Sequence, residues 1–107
     1  MSRPLEFVGS SREDLRDFPE EVRRDAGVQL WAVQAGLSPT DWKPMTSVGS
    51  GAMEIRIRKQ GAWRVIYVAK FEAAVYVLHA FEKKEKKTRQ ADIDLAKKRY
   101  QEIEGKS

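Results

Sequence analysis

The chain has 107 residues and a net charge of +4, and its hydrophobic fraction of 41% suffices for one compact core but not for two. With no cysteine and one histidine, disulfide scaffolds, thiol nucleophiles and Cys or His clusters for a metal are excluded. We therefore expect one domain over residues 1–107, with no metal or other cofactor. No stretch approaches the roughly 20 apolar residues that span a bilayer, and the first residues lack an apolar signal core. These features predict a cytoplasmic protein with no membrane partner.

The first third of the chain predicts one strand and two helices. The segment Leu5 to Val8 is short and apolar-leaning, which favours a strand. A short helix is expected from Ser10 to Asp17, because Ser10 and Glu13 have the spacing of a capping box. A longer helix is predicted from Pro19 to Ala35. Its apolar positions recur at helical spacing and are Val22, Ala26, Leu30, Val33 and Leu37.

Residues 38–50 are rich in proline, serine, threonine and glycine, a composition that predicts a loop. Trp42 lies within this segment. A lid on the hydrophobic core is the favoured interpretation of Trp42, and a platform for base stacking is the alternative.

Three strands are predicted next, over Ala52–Lys59, Ala62–Phe71 and Ala74–Glu82. Their short connections predict an antiparallel meander. The first alternates apolar and polar residues, whereas the other two are more continuously apolar, as central strands covered on both faces are. A last helix is expected from about Thr88 to Gly105. Its apolar stripe consists of Ile93, Ala96, Tyr100 and Ile103.

The predicted element order is therefore β-α-α-β-β-β-α, which defines an α+β fold. We expect an antiparallel sheet with the helices packed on one face, because each apolar stripe must be buried against another element. The other face of the sheet would then keep its arginine and lysine side chains.

Positive charge is concentrated in the second part of the chain. Residues 1–47 carry 6 Lys/Arg and 8 Asp/Glu, for a charge of −2, whereas residues 48–107 carry 14 and 8, for a charge of +6. This asymmetry indicates a polyanionic partner such as nucleic acid, although a solvated basic surface would have the same composition.

Several cations are predicted to converge on the sheet. Alternation places Arg56 and Arg58 on one face, and the meander brings Arg64 and the Lys83–Lys84 pair towards the same edge. Like charges gathered in this way are favourable when an anion binds between them. The chain has no phosphate-binding glycine loop with its lysine, no nucleophile elbow and no evident pair of catalytic carboxylates.

Three strand motifs carry a resemblance to a known family. They are Glu54-Ile-Arg56, Trp63-Arg-Val-Ile-Tyr67 and Leu78-His-Ala-Phe-Glu-Lys-Lys84, followed by a helix that contains Ala96 and Arg99. This pattern resembles the RelE/HigB-type toxins of type II toxin–antitoxin systems, and is most similar to their phage-derived HigB-like branch. The resemblance extends from about Phe7 to Tyr100.

The resemblance implies a RelE/ParE-like fold and a metal-independent endoribonuclease that cleaves mRNA on the ribosome. In that reaction the RNA 2′-hydroxyl attacks the adjacent phosphate. The implied partners are mRNA, the ribosome and a cognate helix-turn-helix antitoxin. The implied catalytic residues are Arg56, Arg64, His79 and Lys84. The implied RNA-binding residues are Arg58, Lys83, Lys86 and Lys87.

Alternatives remain at the level of the sequence. His79 fits a hydrogen-bonded core histidine as well as a catalytic one, and Lys86 and Lys87 fit a solvated surface. Tyr67 and Tyr100 lie on apolar stripes and are interpreted as core. The protein could instead be a non-catalytic ParE-like toxin or binding module that acts on DNA gyrase or another protein, or a phage accessory protein without nuclease activity.

Overall fold

The computed structural model describes residues 2–105, which form five strands and three helices. The strands are β1 (Leu5–Phe7), β2 (Trp42–Pro44), β3 (Ala52–Ile57), β4 (Trp63–Val68) and β5 (Val75–Glu82). The helices are α1 (Ser11–Arg16), α2 (Glu20–Gln34) and α3 (Gln90–Glu104). The α+β class is as predicted, and so are all the elements except β2.

The five strands form one sheet in the order β1-β5-β4-β3-β2. The central strands β3, β4 and β5 are the predicted antiparallel meander, and β2 pairs antiparallel with β3. The expectation of a wholly antiparallel sheet was wrong at one edge, because β1 pairs parallel with β5. Nearly the whole fold lies between these two strands in the chain, so no hairpin dictates their relative direction.

A short connection joins β3 to β4 within the meander. Gln60 and Gly61 have φ values of 53° and 120°, and Gln60 is the only non-glycine residue in the described chain with a positive φ. These two residues lie within the five-residue connection 58–62, in which the chain reverses direction. The strands β3 and β4 then pair in a register that places Arg56 directly opposite Arg64.

Helix α2 covers one face of the sheet. Its buried residues Val22, Ala26, Leu30 and Val33 belong to the predicted stripe and pack in one apolar cluster with residues of β3, β4 and β5. The helix ends before Gly36, whose φ of +86° breaks the helical conformation. Leu37 was also predicted to lie in the stripe, but it follows this break and is 61% exposed.

Helix α3 covers the opposite face, which corrects the expectation that the helices lie on one face. Ala96, Tyr100 and Ile103 of α3 pack against a second apolar cluster that includes Ile66 and Leu78 of the sheet. The physical reason lies in the central strands. Because β4 and β5 are apolar on both faces, each face needs a covering helix.

Strand β2 lies within the segment that the sequence predicted to be a loop. Three residues are too few to show a period-two pattern, and Pro44 argues against a strand unless the strand lies at an edge. Trp42 is partly exposed on this edge strand. None of the helices between residues 2 and 105 is long and apolar enough to cross a lipid bilayer.

Candidate active site

A bulge in β5 determines which side chains reach the α3 face of the sheet. Ile66 pairs with His79 and the next residue, Tyr67, pairs with Val77, so Leu78 is an extra residue in β5. Leu78 packs in the α3-side cluster and His79 contacts Asp92 of α3, so both neighbours face the same helix. Strict alternation would have turned one of them away from α3.

Arg99 of α3 stabilises this bulge. Its Nη1 donates a hydrogen bond of 2.8 Å to the carbonyl oxygen of Leu78, and its Nη2 donates one of 2.9 Å to Ser10 Oγ. The guanidinium also lies so close to Gly9 that an added Cβ there would be 2.6 Å from Arg99 Nε. Ala96 and Arg99, which contribute to the family resemblance, are thus a core residue and a buried structural arginine.

Two arginines face each other across the central pair of strands. Arg56 of β3 is the direct register partner of Arg64 of β4. Like charges directly opposite one another destabilise a sheet unless other charges compensate them. Arg56 is compensated by Asp41, whose Oδ1 lies 3.0 Å from Arg56 Nε and 2.8 Å from Arg56 Nη2. Arg58 lies at the rim, with its Nε 3.7 Å from Asp41 Oδ2.

Arg64 is compensated from inside the protein. Its side chain is buried, with a residue exposure of 5%, and its Nε lies 3.5 Å from Oε1 of Glu54, which is completely buried. Lys43 of β2 is the register partner of Glu54, and its Nζ lies 3.9 Å from the same carboxylate oxygen. Arg64 is therefore a buried cation that balances a buried carboxylate.

Lys83 completes this group of cations just beyond the end of β5. Its backbone N–H donates a hydrogen bond of 2.7 Å to the carbonyl oxygen of Ala62. Burial lowers the pKa of Lys83, and repulsion by Arg64 lowers it further, while Glu54 opposes the shift. Burial likewise lowers the pKa of Arg64, an effect that Glu54 opposes and that Arg56 and Arg58 increase. The pKa values of Lys83 and Arg64 are therefore affected by the same neighbouring charges, Glu54 and Arg56.

A cleft of about 350 Å³ adjoins these cations. Its lining residues are Phe81, Glu82, Lys83, Lys84, Glu85, Lys87, Arg89 and Asp92. Phe81 is also the register partner of Arg64, so the cleft begins beside the arginine pair. Lys84 is exposed at the mouth of the cleft, and its Nζ lies 3.9 Å from Glu82 Oε1. Lys86 is exposed and is not among the lining residues.

His79 lies beneath this cleft and is only 6% exposed. Its Nε2 is 2.7 Å from Asp92 Oδ1, and its ring stacks on Phe81 with the ring centroids 4.7 Å apart. Arg89 binds the other carboxylate oxygen of Asp92, with a distance of 3.2 Å from Nε to Oδ2. The histidine therefore links the last strand to the first turn of α3.

The structure thus brings Arg56, Arg64 and Lys83 together, with Arg58 at the rim and His79 below. Sequence reasoning did not select Lys43, Glu54 or Asp92 as site residues. The alternation of β3 did place Glu54 beside Arg56, but only the fold shows that Glu54 is buried. Asp92 had no signal beyond its place in the first turn of a helix. In residues 2–105 no group of three or more His, Cys, Asp or Glu side chains could hold a metal ion.

Two solved structures with a similar architecture are a toxin and a toxin–antitoxin complex. The fold is similar to E. coli toxin RelE, a double mutant in the free state, with a TM-score of 0.67, 16% identity and coverage of 96% of this chain and 99% of that one. It is also similar to the RelBE2 toxin–antitoxin complex from Mycobacterium tuberculosis, with a TM-score of 0.51, 20% identity and coverage of 78% of this chain and 100% of that one. The fold is therefore of the RelE type.

The sequence places the chain more narrowly within this fold. Residues 13–101 match the family described as "Phage derived protein Gp49-like (DUF891)", and the chain belongs to this family. The resemblance drawn from the strand motifs, to the phage-derived branch of the RelE/HigB-type toxins, is thereby confirmed. No curated protein gave a significant sequence match.

Proposed function

We propose that this protein is the toxin of a type II toxin–antitoxin system and that it cleaves mRNA on the ribosome without a metal ion. One observation carries the proposal: Arg56 and Arg64 face each other, with Lys83 beside them, at the edge of an open cleft. Cations held this close favour binding of an anion, and an RNA phosphate is the anion that the fold family suggests.

The proposed chemistry is attack of an RNA 2′-hydroxyl on its adjacent phosphate, which leaves a 2′,3′-cyclic phosphate and a free 5′-hydroxyl. Arg64 and Arg56 would stabilise the additional negative charge on the phosphoryl oxygens. A catalytic proton donor or acceptor works best when its pKa lies near the operating pH. Burial and Arg64 lower the pKa of Lys83, which favours Lys83 for proton transfer. We propose that the exposed Lys84 binds the RNA backbone at the mouth of the cleft.

We assign His79 a supporting role rather than a proton-transfer role. Its Nε2 is held by Asp92, whose other carboxylate oxygen binds Arg89. The stack of His79 on Phe81 would instead hold the wall of the cleft in place. Arg58 and Lys87 remain proposed contacts for the RNA backbone, and Lys86 is a weaker candidate because it lies outside the cleft.

We also propose that a cognate helix-turn-helix antitoxin neutralises this toxin in the cytoplasm. Acidic segments of a partner would complement the cationic edge of the sheet, so binding should weaken as salt concentration rises. The structural relative from Mycobacterium tuberculosis is a toxin–antitoxin complex, which supports this type of partner. Expression with the product of the neighbouring gene would test the proposal, which predicts that growth is restored and that the two proteins co-purify.

The decisive experiment is induced expression followed by mapping of RNA 5′ ends, with Arg64→Lys as the matched control. Cuts within translated codons that disappear in the control are the expected result. Cuts that are equally frequent in untranslated RNA would support nuclease activity but contradict its dependence on the ribosome. Intact RNA together with a DNA-damage response would overturn the nuclease proposal in favour of a ParE-like action on gyrase.

A further inference from the structure

Glu54 occupies an unusual position for a carboxylate. It lies in the middle of β3, its exposure is 0%, and neither of its oxygens accepts a hydrogen bond from the residues that the structure describes. Burying an ionised carboxylate is costly unless an opposite charge compensates it. Its neighbour Ile55 turns to the other face and joins the apolar core under α2. Packing against α2 therefore does not account for the position of Glu54.

The compensating charge comes mainly from Arg64. The Arg64 and Glu54 side chains are 6% and 1% exposed, so little solvent weakens the attraction across the 3.5 Å between Nε and Oε1. Lys43 approaches the same oxygen to 3.9 Å, but its side chain is 44% exposed and its charge is better screened. The carboxylate that pairs with the neighbouring arginine differs from Glu54 in its exposure. Asp41, the partner of Arg56, is 37% exposed.

The two contacts of Arg64 restrict its guanidinium group. Nε faces the carboxylate of Glu54, and Nη1 donates a hydrogen bond of 2.9 Å to the carbonyl oxygen of Trp63. Nε itself makes no hydrogen bond among residues 2–105, so its approach to Glu54 is an ion pair. An ion pair on one side and a hydrogen bond on another restrict the rotation of a planar guanidinium.

We propose that Glu54 is a positioning residue, whose buried carboxylate orients the Arg64 guanidinium towards the scissile phosphate of the RNA. This inference rests on the proposed nuclease function and extends it to a residue that does not touch the RNA. Glu54 also raises the pKa of both Arg64 and Lys83 against the effect of burial, which helps both groups to stay protonated.

The orientation of Arg64 can be tested by NMR without any assay of RNA cleavage. The probe is the Nε–H signal of Arg64, assigned by its loss in Arg64→Lys. Glu54→Asp keeps the charge but withdraws the carboxylate by roughly 1.5 Å, about one carbon–carbon bond. We expect hydrogen exchange at Nε to accelerate about tenfold, which corresponds to a loss of about 1.4 kcal/mol of attraction in this buried ion pair. An unchanged exchange rate would overturn the proposal.

The kinetic test separates positioning from general stabilisation of the fold. A misplacement of about 1 Å at a reacting centre can cost on the order of 10²-fold in rate, so Glu54→Asp should lower kcat strongly and change KM little. In an Arg64→Lys background the same substitution should cost almost nothing further, because the group that it positions is gone. Equal costs in the two backgrounds would contradict a role through Arg64.

Glu20→Gln is the matched control, because it removes the exposed carboxylate partner of Arg24 on α2, on the opposite face of the sheet. Whatever its own cost, that cost should be the same with Arg64 or Lys at position 64. If the wild-type protein cleaves no RNA, the proposed function fails, while the exchange measurement still decides whether Glu54 orients Arg64. Glu54→Gln is a second variant that removes the charge at nearly constant shape, and exchange at Arg64 Nε should accelerate there as well.

Discussion

The two faces of the central strands are built from alternate residues of the same segments, yet they differ in what they bury. The face under α2 carries an apolar cluster from β3, β4 and β5, and its polar residue Glu82 lies at the end of β5. The face under α3 is apolar where Ile66, Val68 and Leu78 meet the helix. The same face also carries Glu54, Arg56 and Arg64, with Lys83 just beyond the end of β5.

This difference shows how one small sheet can separate stability from chemistry. The α2 face contributes through burial of apolar area, which is non-directional. The charged end of the α3 face depends on pairs of opposite charge at defined distances, and removal of one partner leaves the other buried and uncompensated. Substitutions on the two faces should therefore have separable effects on folding and on activity.

The largest effect on folding is expected on the α2 face. Leu30 is 1% exposed, and Leu30→Ala should lower the free energy of unfolding by about 2–5 kcal/mol through lost burial and a residual cavity. Urea denaturation measures this change. Val28→Ala, at a residue 58% exposed on the same helix, is the control and should change stability by only about 0.5 kcal/mol. Equal losses in the two variants would contradict the assignment of the core.

The largest effect on catalysis is expected on the α3 face. Arg64→Lys keeps the positive charge beside Glu54 but loses the planar guanidinium that the site orients, so cleavage should slow by about 10²–10³-fold. The melting temperature should stay close to the wild-type value. Arg12→Lys, on the exposed surface of α1, is the control for the same exchange of side chains. A wild-type cleavage rate in a folded Arg64→Lys protein would remove Arg64 from the site.

Arg64→Ala should behave differently from Arg64→Lys, and this contrast sharpens the comparison of the two faces. Loss of the guanidinium leaves Glu54 buried without its main counter-charge, which typically costs about 3–5 kcal/mol. Arg64→Ala is therefore expected to melt at a clearly lower temperature than Arg64→Lys. If the two variants melt alike, Glu54 does not depend on Arg64 for its charge balance.

A smaller effect should appear in the pH dependence of RNA binding. The pKa of Lys83 is lowered from 10.5 by burial first and by Arg64 second. The positive charge of Lys83 is present below this lowered pKa and is lost as the pH rises through it. The affinity for an uncleavable 2′-deoxy analogue of the RNA should therefore begin to fall below pH 10.5. Lys83→Arg should move this fall to higher pH, whereas Lys86→Arg should leave it in place. If the affinity of Lys83→Arg falls at the same pH as that of the wild type, the loss of affinity is caused by a group other than Lys83.

The smallest effect tests the apolar face at alkaline pH. Burial raises the pKa of Tyr67 from 10.0 to about 12. Between these values the unfolded chain has lost the phenol proton and the folded chain keeps it, so stability should fall as the pH rises through that window. Tyr67→Phe removes the ionisable hydroxyl group, so the free energy of unfolding should change less with pH in this window. A curve that still falls as steeply would show that Tyr67 does not cause the loss.

Much of the fold was predictable because its signals are local. The period-two pattern from Ala52 to Lys59, the turn at Gln60 and Gly61, and the stripe of α2 each lie within a short segment. The interpretation of Tyr67 and Tyr100 as core residues was also correct, since they are 4% and 3% exposed. The short edge strand β2 was missed because three residues carry no periodicity.

The sequence by itself determined the elements of the meander, the two apolar stripes and the concentration of arginine and lysine around the sheet, because these depend on spacing along the chain. Only the tertiary structure decided how the charges are partnered. Lys43, Glu54 and Arg64 lie on three different strands, and their contacts depend on register and on an edge strand with no sequence signal. Likewise, His79 meets Asp92 because a bulge turns two successive side chains towards α3, and alternation alone cannot predict a bulge.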